Sequence, residues 1–442
     1  MELIESEESE KYQATIDAPR SIDNLEKSVK DLSKKDEVEQ LIDLNDGIHL
    51  GMPYIIFLIE SIDKKISEGV DIQLKIPEDE NKRNSIRYFR LPSIIANLTG
   101  KKFRDIITED SLKYFGENIN LKRNCQESLR TQKYENFDTL ADALKTKDIC
   151  VFCESMPFKD DFEKICAVEK LHSIWTDAEM RAFLKRHLDS PDYNKERFVS
   201  NRIIYECATN SQRHSEANKL LVAAVVKKTE IMDNNDCYKY TLDIYFWDNG
   251  KSIIETLKNA HGKGQPIRNN MGFHKDIRNF HASYSIKYEN SPFDKIIINS
   301  DVPDETPANE SESGISMQNI LNDDGLILLS SFFPGVSEDP RGSSHKENPE
   351  FKQGDSPLKY PGMGLTTLLN AAIDLLDGQV SVRAGDYFLN IKKLEDSFSE
   401  KLKKIEDAKY KKYYQAEINK IEDKSPQLNG NMLIVSLPLK RE

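Results

Sequence analysis

Apolar residues along this chain change spacing several times, and each change predicts an element. Near the start, Ile42 opens a short strand around Asp43-Leu44, and helical spacing covers Tyr54 to Glu68. Val70 to Ile76 alternates as a strand. The polar run Pro77 to Asn84 follows, then a short strand at Ile86 to Leu91 and a helix entered at Pro92 and running to Leu98. Asp148 to Phe152 predicts a strand, and Thr176 to Leu188 an amphipathic helix anchored by Trp175. Ser190-Pro191-Asp192 is a helix start, and the helix continues through Tyr193 to Arg213. Leu220 to Val226 and Tyr238 to Trp247 are rich in β-branched and aromatic residues, with a turn at Asp233-Asn234-Asn235-Asp236.

The second half continues in the same mixture. Ile296-Ile297-Ile298 and Leu326 to Phe333 predict strands. A helix beginning after Gly362-Met363-Gly364 runs to Leu376 and ends at Asp377-Gly378. Strands follow at Gln379 to Arg383, Tyr387 to Ile391 and Met432 to Leu437, the last closed by Pro438. Between them, Lys392 to Asp423 is lysine-rich. Its Leu394, Phe398, Leu402 and Ile405 fall at helical spacing and predict an exposed helix or hairpin. The order of elements predicts an α/β (α+β) fold.

Composition narrows the class. At 442 residues the chain has room for on the order of two to three domains, and 38% hydrophobic content suffices for packed cores. The net charge of −13 argues against a protein that coats nucleic acid or an anionic membrane. No apolar run is long enough to span a bilayer, and the acidic start Met1 to Glu8 is unlike a signal peptide, so a cytoplasmic location is expected. The six cysteines are then expected to be reduced. Cys150-Val151-Phe152-Cys153 has no second pair at zinc spacing, and on a regular strand its two thiols face opposite sides.

The chemistry gathers in three places. On the helix before Arg213, Glu206, Asn210 and Arg213 share one face, with His214 beside them. A carboxylate can deprotonate water, an amide oxygen can hold Mg²⁺, and a cation can neutralise phosphate. Taken alone, the same face also fits a solvated helix. Asp248-Asn249-Gly250 ends a strand. There a carboxylate can accept a hydrogen bond from an adenine amino group, and Gly250 lets backbone approach the base. An Asn-Gly hairpin turn fits that stretch equally. Gly362 and Gly364, with Leu365, Thr366 and Thr367, lead into a helix whose first N–H groups can face phosphates. An ordinary loop-to-helix junction also fits.

In this order the three stretches resemble the GHKL ATPase superfamily, built on the Bergerat fold. Glu206-x-x-x-Asn210 looks like its N box, Asp248-x-Gly250 like its first glycine box, and Gly362-x-Gly364-Leu365 like its second. Gly430 to Leu439 looks like its closing strand. The match covers about residues 191–439. The Glu-x-x-Thr-Asn-x-x-x-His wording is closest to the anti-sigma-factor serine-kinase branch. The resemblance implies a two-layer sandwich of mixed β-sheet and helices in the C-terminal half, with ATP and Mg²⁺ as cofactors. It implies Glu206 as general base, Asn210 as Mg²⁺ ligand, Asp248 as adenine reader, and Arg213 and His214 near the phosphates. Gly250, Gly362, Gly364, Leu365 and Thr366 would complete the nucleotide site. Two departures stand out. Ser252 occupies the place of the first box's second glycine, and residues 251–361 make a long interval between the boxes. Within that interval Gly335 to Pro357 is dense in Gly, Ser, Pro and charge, as a mobile lid would be.

The domain plan that follows is a charged tail at 1–40, a small α/β domain at 41–115, a connector at 116–190 and the ATPase domain at 191–442. That last domain carries a lid insertion (about 251–361) and a charged helical insertion (about 392–428). The strand–loop–helix–strand pattern around Asp43 to Ile76 resembles a STAS-like domain. The phosphorylatable Ser of that family has no counterpart in Leu50-Gly51-Met52-Pro53, so this domain is expected to pack or dock rather than accept phosphate.

Three functions compete. The first is an ATP-hydrolysing switch acting on a protein partner or a homodimer. The second is an anti-sigma-type serine kinase acting on a separate protein, and the third a module that holds ATP without turnover. A histidine kinase fits poorly. His172 is followed by Ser173-Ile174 and His187 by Leu188-Asp189, neither of them the usual phosphoacceptor setting.

Overall fold

The structure is a computed structural model. It describes residues 39–43, 52–78, 83, 91–114, 137–144, 149–189, 195–214, 216–230, 238–262, 282–288, 296–299, 322–334, 336, 364–394, 412–421 and 428–439. Residues 1–38 of the expected tail, the short strand at 86–90, most of the lid and the stretch 395–411 lie outside these residues, while residues 39 and 40, also placed in the tail, belong to a strand.

The N-terminal unit is a parallel pair closed by a helical crossover. β1 (Glu39–Asp43) pairs with β2 (Asp71–Lys75), Ile42 opposite Leu74, and α1 (Met52–Ser67) connects them. Gly69, at φ 81°, ends α1 in the left-handed region, which costs glycine little. α1 buries Met52, Ile55, Ile56, Phe57, Leu58, Ile59 and Ile62, too many residues for one face. The helix is apolar on nearly all sides because it lies between its own small sheet and a larger one. α2 (Leu91–Thr99) opens on Leu91-Pro92, and its Leu91, Ile94, Ile95 and Leu98 join the same core.

The larger sheet has nine strands among the described residues. They are β3 (Ile149–Pro157), β4 (Lys219–Glu230), β5 (Tyr238–Asp248), β6 (Ser283–Tyr288), β7 (Ile296–Asn299), β8 (Gln379–Ala384), β9 (Tyr387–Lys393), β10 (Tyr413–Lys420) and β11 (Asn431–Pro438). The order across the sheet is β3-β4-β5-β11-β8-β9-β10-β6-β7. Of these neighbours β10 and β6 run parallel and the rest antiparallel. The expected α+β architecture with a mixed sheet is therefore present. Along β4, Leu220, Val222, Ala224 and Val226 enter one core while Leu221, Ala223 and Val225 enter the other. An unbroken apolar strand is what burial on both faces requires. The first face carries α3 (Phe137–Leu144), α4 (Asp161–Thr176), α5 (Ala178–His187), α6 (Tyr205–His214), α7 (Ile253–Gly262), α8 (Asp324–Ser330) and α9 (Gly364–Leu369). The second face is covered by the N-terminal unit, which adds a third layer.

Several expectations are corrected. The supposed connector supplies β3, an edge strand of the main sheet, and α4. Asp160 caps α4 by accepting the Glu163 N–H, and the buried Trp175 meets Phe152 edge-on at 5.7 Å. Leu326 to Phe333 is not a strand. Asp323 accepts the Leu326 N–H and starts α8, a short apolar helix that periodicity cannot separate from a buried strand. The lysine-rich stretch, expected as an exposed helix or hairpin, contains not a helix but β10, which pairs antiparallel with β9 and lies between β9 and β6. There Tyr414, Ala416 and Ile418 alternate toward the core, a period of two hidden by the surrounding lysines. Cys150 and Cys153 share a face. A bulge between Cys150 and Phe152 adds one residue and turns both thiols toward the N-terminal unit.

Candidate active site

The site is built on α6. Its approach is a π-helical turn, Val199–Ile204, closed by the Tyr205 N–H donating to the Ser200 carbonyl. Such turns insert a residue into a helix and reset the phase of everything after them. Beyond it Ile203, Ile204, Cys207 and Ala208 face the core, which leaves Glu206 and Asn210 on the adjoining side. Glu206 is buried and Asn210 half-buried. Burial draws the Arg202 guanidinium below its usual range, opposed by the Glu206 carboxylate one turn away. Burial also pushes the Cys207 thiol well up, with Glu206 adding to it, so this cysteine is no nucleophile.

The second component is the end of β5. Asp248 lies opposite Leu220 on one side and Asn431 on the other, and the chain then enters α7 rather than folding back as a hairpin. The buried Asp248 carboxylate accepts from the Ser211 hydroxyl at 3.1 Å, the Gly250 N–H at 3.1 Å and the Asn431 amide at 3.4 Å. Asn249 ties the turn to β4, its Oδ1 accepting the N–H groups of Asn218 and Lys219. Ser252, the departure from the glycine pattern, caps α7 by accepting the Glu255 N–H at 3.1 Å.

The third component is α9, which begins at Gly364. A methyl group on Gly364 would lie 3.1 Å from both Glu206 Oε2 and Asn210 Oδ1. The second glycine stretch therefore closes directly onto the polar side of α6, although more than half the ATPase-like region separates them in sequence.

These components surround a cavity of about 130 Å³. That is close to the roughly 150 Å³ that takes up a benzene ring. Phe246, Val382, Leu433 and Leu257 make apolar walls, while Asn210, Ser211, Asp248 and Asn431 supply polar groups. Asp248 is the sole carboxylate among the described residues of the lining. Glu206 is not part of the lining, but its carboxylate lies against Gly364, which is. Asn210 offers an amide oxygen at this edge. Among the described residues, no three His, Cys, Asp or Glu side chains gather as a metal site. A Mg²⁺ ion held mostly by phosphates and waters needs no such cluster.

Of the remaining expected residues, Leu365 lines the cavity. The Thr366 hydroxyl is buried and donates to the Phe332 carbonyl at 2.9 Å, fastening α9 to the end of α8. Gly250 lines a separate polar cavity on the far side of its turn. Gly362 and the side chains of Arg213 and His214 lie outside the described residues. The sequence reasoning missed Phe246, Val382 and Leu433. Their signal was strand alternation, since Phe246 stands two positions before Asp248 and Leu433 two after Asn431. It also missed Asn431, which holds both the Asp248 carboxylate and the start of α7, where the Ile253 N–H donates to its Oδ1 at 2.8 Å. No protein-family model, curated protein or solved structure matches this chain.

Proposed function

We propose that the chain binds ATP with Mg²⁺ and hydrolyses it, and that turnover drives a conformational switch acting on a protein partner or a second copy. One observation carries this reading: Gly364 packs against Glu206 and Asn210 at the edge of a cavity into which Asp248 brings a buried carboxylate. The ordered motifs of the GHKL superfamily and its Bergerat fold supply the rest by resemblance.

In this reading the base enters the apolar slot between Phe246, Val382 and Leu433. Asp248 accepts its exocyclic amino proton, held in place by Ser211, Gly250 and Asn431. That asymmetry favours adenine, because a carboxylate cannot donate to the carbonyl that guanine carries in the same position. The phosphates extend toward Gly364. Asn210 would hold a Mg²⁺ ion, which would neutralise phosphate charge. Glu206, buried and beside Gly364, orients a water and takes its proton.

The test is ATP binding and phosphate release with Mg²⁺ for the wild type, Glu206→Ala and Asp248→Asn in parallel. Glu206→Ala is expected to bind ATP but turn over about 10² to 10⁴ times more slowly, and Asp248→Asn to lose binding. Phosphate label on a separate protein instead of free phosphate would replace the switch with a serine kinase. Equal turnover by wild type and Glu206→Ala would remove Glu206 from the chemistry, and no binding by wild type at millimolar ATP would end the reading.

A further inference from the structure

Behind the Asp248 turn, on the opposite face of the sheet, lies a polar cavity of about 380 Å³. Its walls come from both the N-terminal unit and the sheet side. α1 of the N-terminal unit gives Glu60, Asp63 and Lys64, and the turn gives Asn249, Gly250 and Lys251. The two sides are joined by specific bonds. Glu60 Oε1 accepts the backbone N–H of Asn429 at 2.8 Å, and Asp63, one turn along the same helix, pairs with Lys219 at the start of β4.

What Glu60 holds leads straight to the nucleotide cavity. Asn429 accepts the Trp247 indole N–H at 3.3 Å, so it is tied to the residue before Asp248. Gly430 follows at φ 81°, so close to the turn that a methyl group there would lie 1.8 Å from the Asp248 carbonyl oxygen. Asn431 comes next. Its amide donates to Asp248 Oδ1 and to the Lys251 carbonyl at 3.1 Å, while its Oδ1 accepts the Ile253 N–H. Three consecutive residues thus connect a buried carboxylate of the N-terminal unit to the carboxylate that reads the base. None of the links is a long flexible side chain on a surface, so displacement at one end reaches the other.

We propose that Glu60 is a positioning residue for the nucleotide pocket, fixing the Asp248 carboxylate through Asn429, Gly430 and Asn431, so that a shift of α1 regulates nucleotide binding. The proposal rests on the nucleotide reading for its consequence, though not for the physical coupling. It makes the N-terminal unit a regulatory element, since whatever engages that unit changes the placement of Asp248. Glu60 is suited to this because it is buried among opposing charges. Lys64 and Asp63 flank it on α1, Arg383 faces it from β8, and Lys219 arrives from β4 paired to Asp63. Lys251, Glu216 and Glu255 stand around the same cavity. Burial holds its carboxyl up to about 7, within reach of a modest change in surroundings.

The experiment is amide hydrogen exchange on the full chain without nucleotide, comparing wild type, Glu60→Ala and Glu60→Gln. Glu60→Ala removes the acceptor and is expected to speed exchange about tenfold in peptides covering both 428–433 and 248–255. Glu60→Gln keeps an acceptor oxygen and is expected to restore both peptides to near the wild-type rate. Faster exchange confined to 428–433, or no rescue by Gln, overturns the proposal. If Glu60→Ala does not fold, Glu60→Asp retracts the acceptor by one methylene with charge kept, and the same two outcomes apply. With ATP, Glu60→Ala is expected to raise KM about tenfold with kcat within about twofold, the signature of lost base placement rather than lost chemistry. An unchanged KM in a wild type that does bind ATP overturns the regulatory claim. A wild type that binds no ATP ends the nucleotide reading, and the exchange measurements still decide the coupling.

Discussion

The two faces of the nine-stranded sheet are buried by different means. On the first face, helices from along the chain, between residues 137 and 369, cover the strands. Their polar sides converge on a small cavity, with Asn210, Asp248 and Gly364 at its edge and Glu206 just behind. On the second face, a separate βαβ unit lies over Tyr245, Trp247 and Met432, and polar contacts join it to the sheet at Glu60, Asp63 and Asn97. The first arrangement is partly local: α6 and the β4–β5 pair are consecutive in sequence, while Gly364 and Asn431 join them from much later in the chain. The second is distant: Glu60 and Asn429 are 369 positions apart. The cavity thus lies on one face of these strands, and a remote element reaches their back.

Gly430 belongs to both faces, so changing it is the most disruptive way to break the comparison. Gly430→Ala requires a left-handed backbone for alanine and places its methyl group inside the Asp248 carbonyl. The dihedral alone costs about 1–2 kcal/mol. The clash must also be relieved by parting β11 from β5, which opens the base slot and the Glu60 link together. Chemical denaturation is expected to show a loss of more than about 2 kcal/mol, together with loss of ATP binding. Wild-type stability in this variant would mean that the two faces are not joined at Gly430.

A smaller effect isolates the second face. Burial raises the Glu60 carboxyl from 4.5 to about 7. A carboxyl whose folded value is raised contributes stability that is complete below its unfolded value and disappears as pH rises through the folded one. Between about pH 4.5 and 7 the wild type should therefore lose stability on account of this group, by at most about 3 kcal/mol. Glu60→Gln cannot ionise. Unfolding followed across this window should show the variant gaining on the wild type as pH rises, with the curves parallel above about pH 8. A difference that does not vary with pH would place the titration elsewhere.

The same contrast explains what sequence could reveal. The spacing of Glu206 and Asn210, the strand ending at Asp248 and the glycine entry to α9 are all short-range signals. The structure brings those residues to one place: Asp248 ends β5 at the cavity, and Gly364, at the start of α9, lies against Glu206 and Asn210 on the side of α6. β1, α1 and β2 were also legible, since Ile42, the apolar run of α1 and the alternation at Val70 to Ile76 have clear periods. What was not legible depended on partners. Nothing around Glu60 separates it from other glutamates on a helix, because its role comes from Asn429. The bond from the Thr366 hydroxyl to the Phe332 carbonyl has no local signal either, since its partner lies 34 positions away. β10 was obscured by lysines, and its inward alternation acquires meaning only beside β9 and β6. The bulge that turns Cys150 and Cys153 to one face is a matter of register with β4.

The gentlest perturbation separates chemistry from fold on the first face alone. Gly364 does not occupy the left-handed region, and alanine at the start of a helix is no less stable than glycine, by up to about 1 kcal/mol in alanine's favour. The added methyl group would nonetheless press on Glu206 Oε2 and Asn210 Oδ1 at 3.1 Å, tighter than ordinary contact, so each must retreat by a few tenths of an ångström. A fold that used this glycine for packing would lose stability with it. A site that used it for closeness would keep its stability and lose turnover. Gly364→Ala is therefore expected to melt at or slightly above the wild-type temperature. Its kcat should fall about tenfold, because a general base displaced by a fraction of an ångström is out of line with the water it orients, while the Asp248 end of the slot still binds the base. A lower melting temperature with unchanged kcat would assign Gly364 to packing and leave Glu206 and Asn210 as neighbours with no chemistry in common.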